Sequence, residues 1–276
     1  MDFTDKTVLV TGGGAGIGLA TAQAFLDQGA RVAMLEIDAQ RADHAHTLLG
    51  KAGADVLVVQ GDAANAGTVR ELATQIEQRF GRLDVLVNNV GDFLRIAKPF
   101  EDYADDEIAS LYAANLGHVF TVTRAMLPLL RRSAGGSIVS VSSIEAFRGI
   151  PYCSVYAAFK AAITGFTQSL ALELAPAGIR VNLIAPETTE TPQVPVSQMV
   201  AEEHRHHIPR WIPLGRFGTP QDIADGILFL ASPRAAWITG TALHVNGGAL
   251  AAAGWYREPN GAWTNMPVIN GNGMNL

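Results

Sequence analysis

Tyr156 and Lys160 stand four residues apart, a spacing that places both side chains on one face of a helix. A free phenol titrates near about 10, too high for ready proton exchange at neutral pH. An ammonium one turn away favours the phenolate, so the pair predicts a phenol drawn down into use as a general acid/base. The same spacing occurs on many amphipathic helices as a solvated surface pair, and alone it decides nothing. Two hydroxyls lie upstream, Ser142 and Ser143. The single cysteine, Cys153, also sits beside the pair; without recognisable thiol-enzyme partners it reads as a packed thiol rather than a nucleophile. One cysteine also excludes an intramolecular disulfide and fits a reducing compartment. His204, His206 and His207 cluster, but without carboxylate or cysteine ligands at metal-binding spacing they read as a solvated face, and no metal site is expected.

The elements that must position such a pair begin at the N-terminus. Thr7 to Val10 is a short β-branched run that stops at Thr11-Gly12-Gly13-Gly14-Ala15-Gly16-Ile17-Gly18. Leu19 to Gln28 then reads as a helix ended by Gly29, and Arg31 to Leu35 as a strand with Glu36 at its end. Strand, glycine turn, helix and strand with a terminal acid form the βαβ unit that binds dinucleotides. Glycines let backbone amides approach a pyrophosphate at the positive end of the helix. Glu36 would accept hydrogen bonds from the adenosine ribose. The spacing Gly12-x-x-x-Gly16-x-Gly18 departs from G-x-G-x-x-G, and a glycine turn without a ligand is the alternative. Glu36 would repel a 2′-phosphate, and no Arg or Lys stands in the glycine loop or directly after it; NAD is therefore expected over NADP.

Further strands are expected at Val56–Val59, Leu83–Val87, Gly136–Val141, Arg180–Ile184 and Ala242–Val245. Helices are expected at Thr68–Phe80, Ile108–Leu130 (disturbed by Pro128), Tyr152–Leu174 and Gln221–Ala231. The alternation implies an α/β chain, a single-domain Rossmann-type doubly wound parallel sheet with helices on both faces. A hydrophobic content of 48% with 17% charged residues suits a large buried core, and a formal charge of −6 without a basic run argues against nucleic acid. No apolar run reaches the roughly 18 residues that cross a bilayer, and no signal segment is recognisable. No membrane association and a cytoplasmic location are expected.

With these residues in view, the chain resembles the classical short-chain dehydrogenase/reductase family from Thr7 to about Gly248. The resemblance rests on the Thr11–Gly18 turn, Asn88-Asn89-x-Gly91 and Asn115. It continues with Ser143 thirteen residues before Tyr156, Tyr156-x-x-x-Lys160, and Arg180-Val181-Asn182 ahead of Pro186. It implies NAD(P)-dependent interconversion of an alcohol and a carbonyl compound. Tyr156 would exchange the proton, with Lys160 lowering its pKa and binding the nicotinamide ribose. Ser143 would hold the substrate oxygen, and Asn115 a water that completes a relay. For the cofactor, the resemblance assigns Gly12, Gly16, Ile17 and Gly18 to the pyrophosphate turn and Asp62 with Ala63 to the adenine. Asn89 and Gly91 would line the cleft, while Pro186, Thr189 and Thr191 would meet the nicotinamide. Relatives use helices of the Ile108–Leu130 and Tyr152–Leu174 type in subunit contacts, so a homotetramer or homodimer is implied.

Glu187 departs from the pattern, since the family carries glycine after this proline; a positive φ there would be strained for Glu. Residues 1–248 are expected to form the catalytic domain, with 249–276 an extension that packs on its own or a neighbouring subunit through Trp255, Tyr256 and Trp263. Thr188 to Pro213 reads as a lid. Phe93, Leu94, Ile96, Phe147, Tyr152, Val194, Val196, Met199, Ile208 and Trp211 are expected to line a hydrophobic cleft, with Arg95 and Glu145 adding polar selectivity. Such a lining suits a hydrophobic or alicyclic secondary alcohol or ketone. A cis-dihydrodiol dehydrogenase and a non-catalytic dinucleotide-binding regulator are the alternatives.

Overall fold

The computed structural model describes residues 1–50, 55–253, 256–257, 260–261 and 263–264. Seven strands form one parallel sheet: β1 (Thr7–Thr11), β2 (Arg31–Glu36), β3 (Val56–Gln60), β4 (Val85–Asn88), β5 (Ser137–Val141), β6 (Arg180–Pro186) and β7 (Ala242–Val245), in the order β3-β2-β1-β4-β5-β6-β7. Side chains alternate across a strand, and here both faces are apolar. Val8, Val10 and Met34 join a core with Phe25 of α1 (Gly16–Asp27). Leu9, Leu35 and Leu86 join another on the opposite face. Sheets buried on both sides must be covered on both sides. The second face takes Leu72 and Ile76 of α3 (Ala66–Phe80). Removing the fully buried Leu72 side chain to alanine would cost about 2–5 kcal/mol.

The remaining helices are α2 (Ala39–Gly50), α4 (Asp105–Tyr112), α5 (His118–Leu130), α6 (Ser154–Leu174), α7 (Val196–Met199), α8 (Ile208–Trp211) and α9 (Pro220–Ala231). Ile223 and Ile227 of α9 share the first core with Phe25, while Val122 and Met126 of α5 and Leu170 of α6 share the second. Two helical expectations change. No element is expected over 39–50, yet α2 forms there, burying only the narrow stripe Ala42, Ala45 and Leu49. The long helix expected over Ile108–Leu130 is interrupted at a π-helical turn, Ala113–Gly117, rather than at Pro128. Pro128 falls in the last turn of α5, where a missing N–H disturbs little downstream.

The strand order reverses between β1 and β4, which opens a crevice at the carboxyl ends of the strands. Beyond β7, β8 (Tyr256–Arg257) pairs antiparallel with β9 (Trp263–Thr264), and β8 runs beside α8. Trp255 and the side chain of Met199 lie outside the described residues.

Candidate active site

The glycine turn meets the geometric demands of a phosphate cradle. Gly12 and Gly16 have φ of 63° and 52°, the left-handed region that disfavours a β-carbon. A β-carbon on Gly18 would collide with the Gly12 carbonyl, and one on Gly14 would lie 2.7 Å from Glu36 Oε2. Ala15 supplies no side-chain cap to α1, which leaves the first N–H groups of that helix available to an anion. Glu36 is buried at the end of β2; Gly14 N–H donates to its Oε2 at 2.9 Å and Asp38 N–H to its Oε1 at 3.1 Å. Asn89 Nδ2 donates to the Thr11 and Gly12 carbonyls at 3.0 and 3.1 Å, which ties the end of β4 to the turn. Ile17 packs against the first core. Asp62 is exposed after β3, its Oδ1 accepting from Ala64 N–H at 2.8 Å, and Ala63 is buried beside it. These residues fit a dinucleotide. Sequence reasoning missed Arg41, whose Cβ would lie 2.8 Å from a β-carbon on Gly14, so that its exposed side chain starts from the edge of the glycine turn.

At the ends of β5 and β6 the expected catalytic residues converge. Ser143 adopts extended backbone and caps a short 3-10 turn, Ile144–Ala146. Its Oγ accepts from Glu145 N–H at 3.2 Å, and its hydroxyl is near enough to Tyr156 to favour the phenolate. Ser142 is spent elsewhere, donating to the Lys160 carbonyl at 2.9 Å. Lys160 is buried; its Nζ donates to the Val141 carbonyl at 3.1 Å and lies 5.7 Å from the centre of the Tyr156 ring. Gly91 makes this possible, because a β-carbon there would sit 2.5 Å from Lys160 Nζ. Asn115 lies in the π turn. Its Nδ2 donates to the Asp92 and Leu111 carbonyls at 2.7 and 3.0 Å, and its Oδ1 accepts from Asp92 N–H at 3.1 Å. Both amide protons are therefore used, leaving one lone pair of Oδ1.

The electrostatics correct one expectation. Tyr156 is pushed up to about 12, first by burial, with the Ser143 hydroxyl opposing and Glu145, Asp92 and Cys153 adding to the rise. Lys160 is not among the groups that draw the phenol down; its Nζ lies 5.7 Å from the ring centre and donates to the Val141 carbonyl. Burial also pushes Lys160 down to about 8, against a pull upward from Asp92. A phenol above the usual range is a proton donor at neutral pH, the form that carbonyl reduction requires. Burial, then Glu145, raises the Cys153 thiol, which leaves little nucleophilic thiolate.

Glu187 corrects another. It is absent from the non-glycine residues with positive φ, so the expected strain does not arise. Its buried carboxylate accepts from Thr188 N–H at 2.8 Å and Thr188 Oγ at 2.9 Å, and pairs with Arg148 at 2.8 Å. Beyond it, Thr189 Oγ donates to the Glu187 carbonyl at 2.8 Å, and the Thr191 methyl would touch a β-carbon on Gly16 at 3.2 Å. The segment after Pro186 thus reaches the glycine turn. Val196 and Ile208 are buried in the lid segment, but Phe147 turns into the core against His244, ring centres 4.6 Å apart. Tyr152 and Leu94 are exposed. Among the described residues no group of three or more His, Cys, Asp or Glu could hold a metal ion, and no helix is long and apolar enough to cross a membrane. A cavity of about 560 Å³ lies at the opposite end of the sheet, between Lys6, Arg180 and Trp237, and holds none of these groups.

A family model described as enoyl-(acyl carrier protein) reductase matches residues 12–249. The chain belongs to the short-chain dehydrogenase/reductase family. It is 38% identical over 255 residues to a 3-oxoacyl-(acyl-carrier-protein) reductase of Thermotoga maritima, covering 90% of this chain and 99% of that one. Levodione reductase superposes with a TM-score of 0.83 at 32% identity, covering 91% of this chain and 99% of the other. A short-chain dehydrogenase of Burkholderia cenocepacia in complex with NADP gives 0.82 at 34% identity, covering 90% and 99%. As a short-chain dehydrogenase/reductase, the protein is an oxidoreductase of alcohol and ketone substrates that uses a nicotinamide dinucleotide.

Proposed function

We propose that the protein interconverts a secondary alcohol and a ketone on a neutral hydrophobic or alicyclic substrate, with NAD as the preferred cofactor. The observation that carries this reading is the Ser143–Tyr156 hydroxyl pair with Lys160 buried one turn further along the same helix. A protein that only bound dinucleotide would have no use for that arrangement. Ser143 would hold the substrate oxygen and stabilise charge growing on it, while Tyr156 gives its proton to that oxygen in reduction and recovers it in oxidation. Lys160 would reach the nicotinamide ribose and pass protons on. Asn115 acts chiefly by fixing Asp92 and Gly91 beside Lys160, with its remaining lone pair open to a water. The bound nicotinamide supplies the hydride.

Glu36 supports NAD, since its buried carboxylate opposes a 2′-phosphate. Gly12, Gly16 and Gly18, with the α1 N-terminus, would take the pyrophosphate; Ile17 would border it. Asp62 and Ala63 would take the adenine, Asn89 and Gly91 would line the cleft, and Pro186, Thr189 and Thr191 would flank the nicotinamide. The solved relative named for levodione supports a ketone substrate. Subunit contacts through α4, α5 and α6, giving a homotetramer or homodimer, belong to the same proposal. So does a role for residues 249–276 over the cleft, supported by the run of β8 beside α8. The test is a panel of neutral secondary alcohols, cis-diols and cyclic ketones with each cofactor, followed by the absorbance of the reduced nicotinamide. Turnover that is faster with NAD(H) is expected; cofactor binding without turnover of any member would refute the reading.

A further inference from the structure

Four non-glycine residues have positive φ among the described residues, and three of them belong to two segments that touch beside the site: Leu94 at 54°, Arg95 at 55° and Tyr152 at 67°. Glycine, asparagine and aspartate tolerate this region, whereas a bulky side chain in it is strained. Leu94 and Arg95 are the central pair of a four-residue turn, closed by Ile96 N–H donating to the Phe93 carbonyl at 3.0 Å. Positive φ at both centres is the type I′ pattern, which Asn-Gly fills without strain. Here the surroundings impose it. Asp92 Oδ1 accepts from Leu94 N–H at 2.7 Å. On the other side, Lys98 N–H and Tyr103 Oη donate to the Tyr152 carbonyl, each at 2.9 Å, and Cys153 Sγ donates to the Ile96 carbonyl at 3.9 Å.

Both ends of the turn are fastened beside Tyr156 and Lys160. Upstream, the Asp92 N–H and carbonyl both bond the Asn115 side chain, and Gly91 lies against Lys160 Nζ. Leu94 is three residues further on, at most about 11 Å of extended chain. Downstream, Ile96 meets Cys153, three residues before Tyr156 in α6. The side chains of Leu94 and Arg95 are nevertheless exposed, and Arg95 makes no hydrogen bond or ion pair among the described residues. The fold thus gains nothing from having these two residues in this turn, and strain of this kind is kept where a site uses it. We infer that the Leu94–Arg95 turn determines specificity: Arg95 binds a hydrogen-bond-accepting oxygen that the substrate carries away from its reacting carbon. A guanidinium has donors and no acceptor, so its ligand must accept. Asp92, which caps the same turn, opposes a full negative charge there, so a neutral carbonyl or hydroxyl oxygen fits and a carboxylate does not. The inference rests on the alcohol–ketone reading and deepens it, since the substrate then bears a second oxygen.

The test takes a cyclic ketone that the panel shows to be reduced and its analogue with a second carbonyl, cyclohexanone and 1,4-cyclohexanedione being the simplest pair. The quantity read is the ratio of their kcat/KM values in the full-length protein, so that the change from wild type to variant cancels intrinsic reactivity. R95M leaves the backbone as it is and removes only the donors. It should lower the diketone's relative kcat/KM about fivefold, the scale of a charge-assisted hydrogen bond at a partly exposed site. The loss should fall on KM, with kcat on the monoketone and affinity for the reduced cofactor unchanged. L94N/R95G, the pair that the turn prefers, should lose the same ratio and yet melt about 2–4 °C higher than wild type. An unchanged ratio in R95M, or an L94N/R95G protein that melts no higher than wild type, overturns the inference. Reduction of no ketone by the wild-type protein would instead defeat the underlying alcohol–ketone reading.

Discussion

Replacing Lys160 by methionine should make the fold more stable while abolishing its chemistry. Burial pushes the ammonium from its usual 10.5 to about 8, which at about 1.36 kcal/mol per pH unit corresponds to roughly 3 kcal/mol that the folded state loses by keeping this group charged. The sign follows from proton counting. Below about pH 8 both folded and unfolded chains carry the charge, so the cost is fully present; between about 8 and 10.5 the unfolded chain binds a proton that the folded chain has released, and wild-type stability rises with pH. Methionine has similar length and no charge, but it leaves the Val141 carbonyl without its donor, a loss of about 1–2 kcal/mol. The balance at neutral pH is a gain of about 1–2 kcal/mol for K160M, on the order of 2–4 °C in Tm per kcal/mol for a chain of this size. Urea unfolding of both proteins without added cofactor, across the range from neutral to strongly alkaline pH, measures it. The advantage should shrink and then reverse as the lysine loses its proton. A K160M protein that is less stable than wild type by the same margin at every pH would refute the reasoning.

Other perturbations bear on separate parts of the account. E36A should lower the preference for NAD over NADP by about tenfold or more, since a hydrogen bond to a charged group is worth about 1.5–3 kcal/mol and about 1.4 kcal/mol is tenfold. Initial rates with both cofactors report the ratio, and an unchanged ratio would exclude Glu36 as the selector. His118, buried beside the site, is pushed down to about 3, first by burial and then by Lys160. The unfolded chain therefore takes up a proton below about 6.5 that the folded chain refuses until about 3, costing up to about 1.36 kcal/mol of stability per pH unit as the solution is acidified. H118N should flatten that acid limb in denaturant titrations; an identical limb would assign the acid sensitivity elsewhere.

The parts that the sequence disclosed are those governed by neighbours in the chain. The β1–glycine turn–α1–β2 unit follows from local glycines and β-branched runs, and Tyr156 and Lys160 lie on one helix as their spacing requires. What escaped depends on distant contacts or small signals. Helix α2 shows only two alanines and one leucine to the core. The π turn carries Gly117 and holds Asn115, whose side chain bonds the distant Asp92 as well as Leu111, whereas Pro128, the obvious breaker, is accommodated near a helix end. The partner of Glu187 is Arg148, thirty-nine positions earlier, so a residue that looked strained proves to be an ion-paired one. The rise of the Tyr156 phenol was hidden for the same reason, since burial is a property of the whole fold.

The central claim is that the Tyr156 hydroxyl exchanges the substrate proton. Substitution by phenylalanine keeps the ring, its packing and its contact with Lys160 while removing only that oxygen, so kcat on an accepted alcohol or ketone isolates its contribution. The account predicts a fall of at least about 100-fold, the scale of general acid–base catalysis, with cofactor affinity and thermal stability nearly unchanged. A Y156F protein that turns over substrate at the wild-type rate would contradict it.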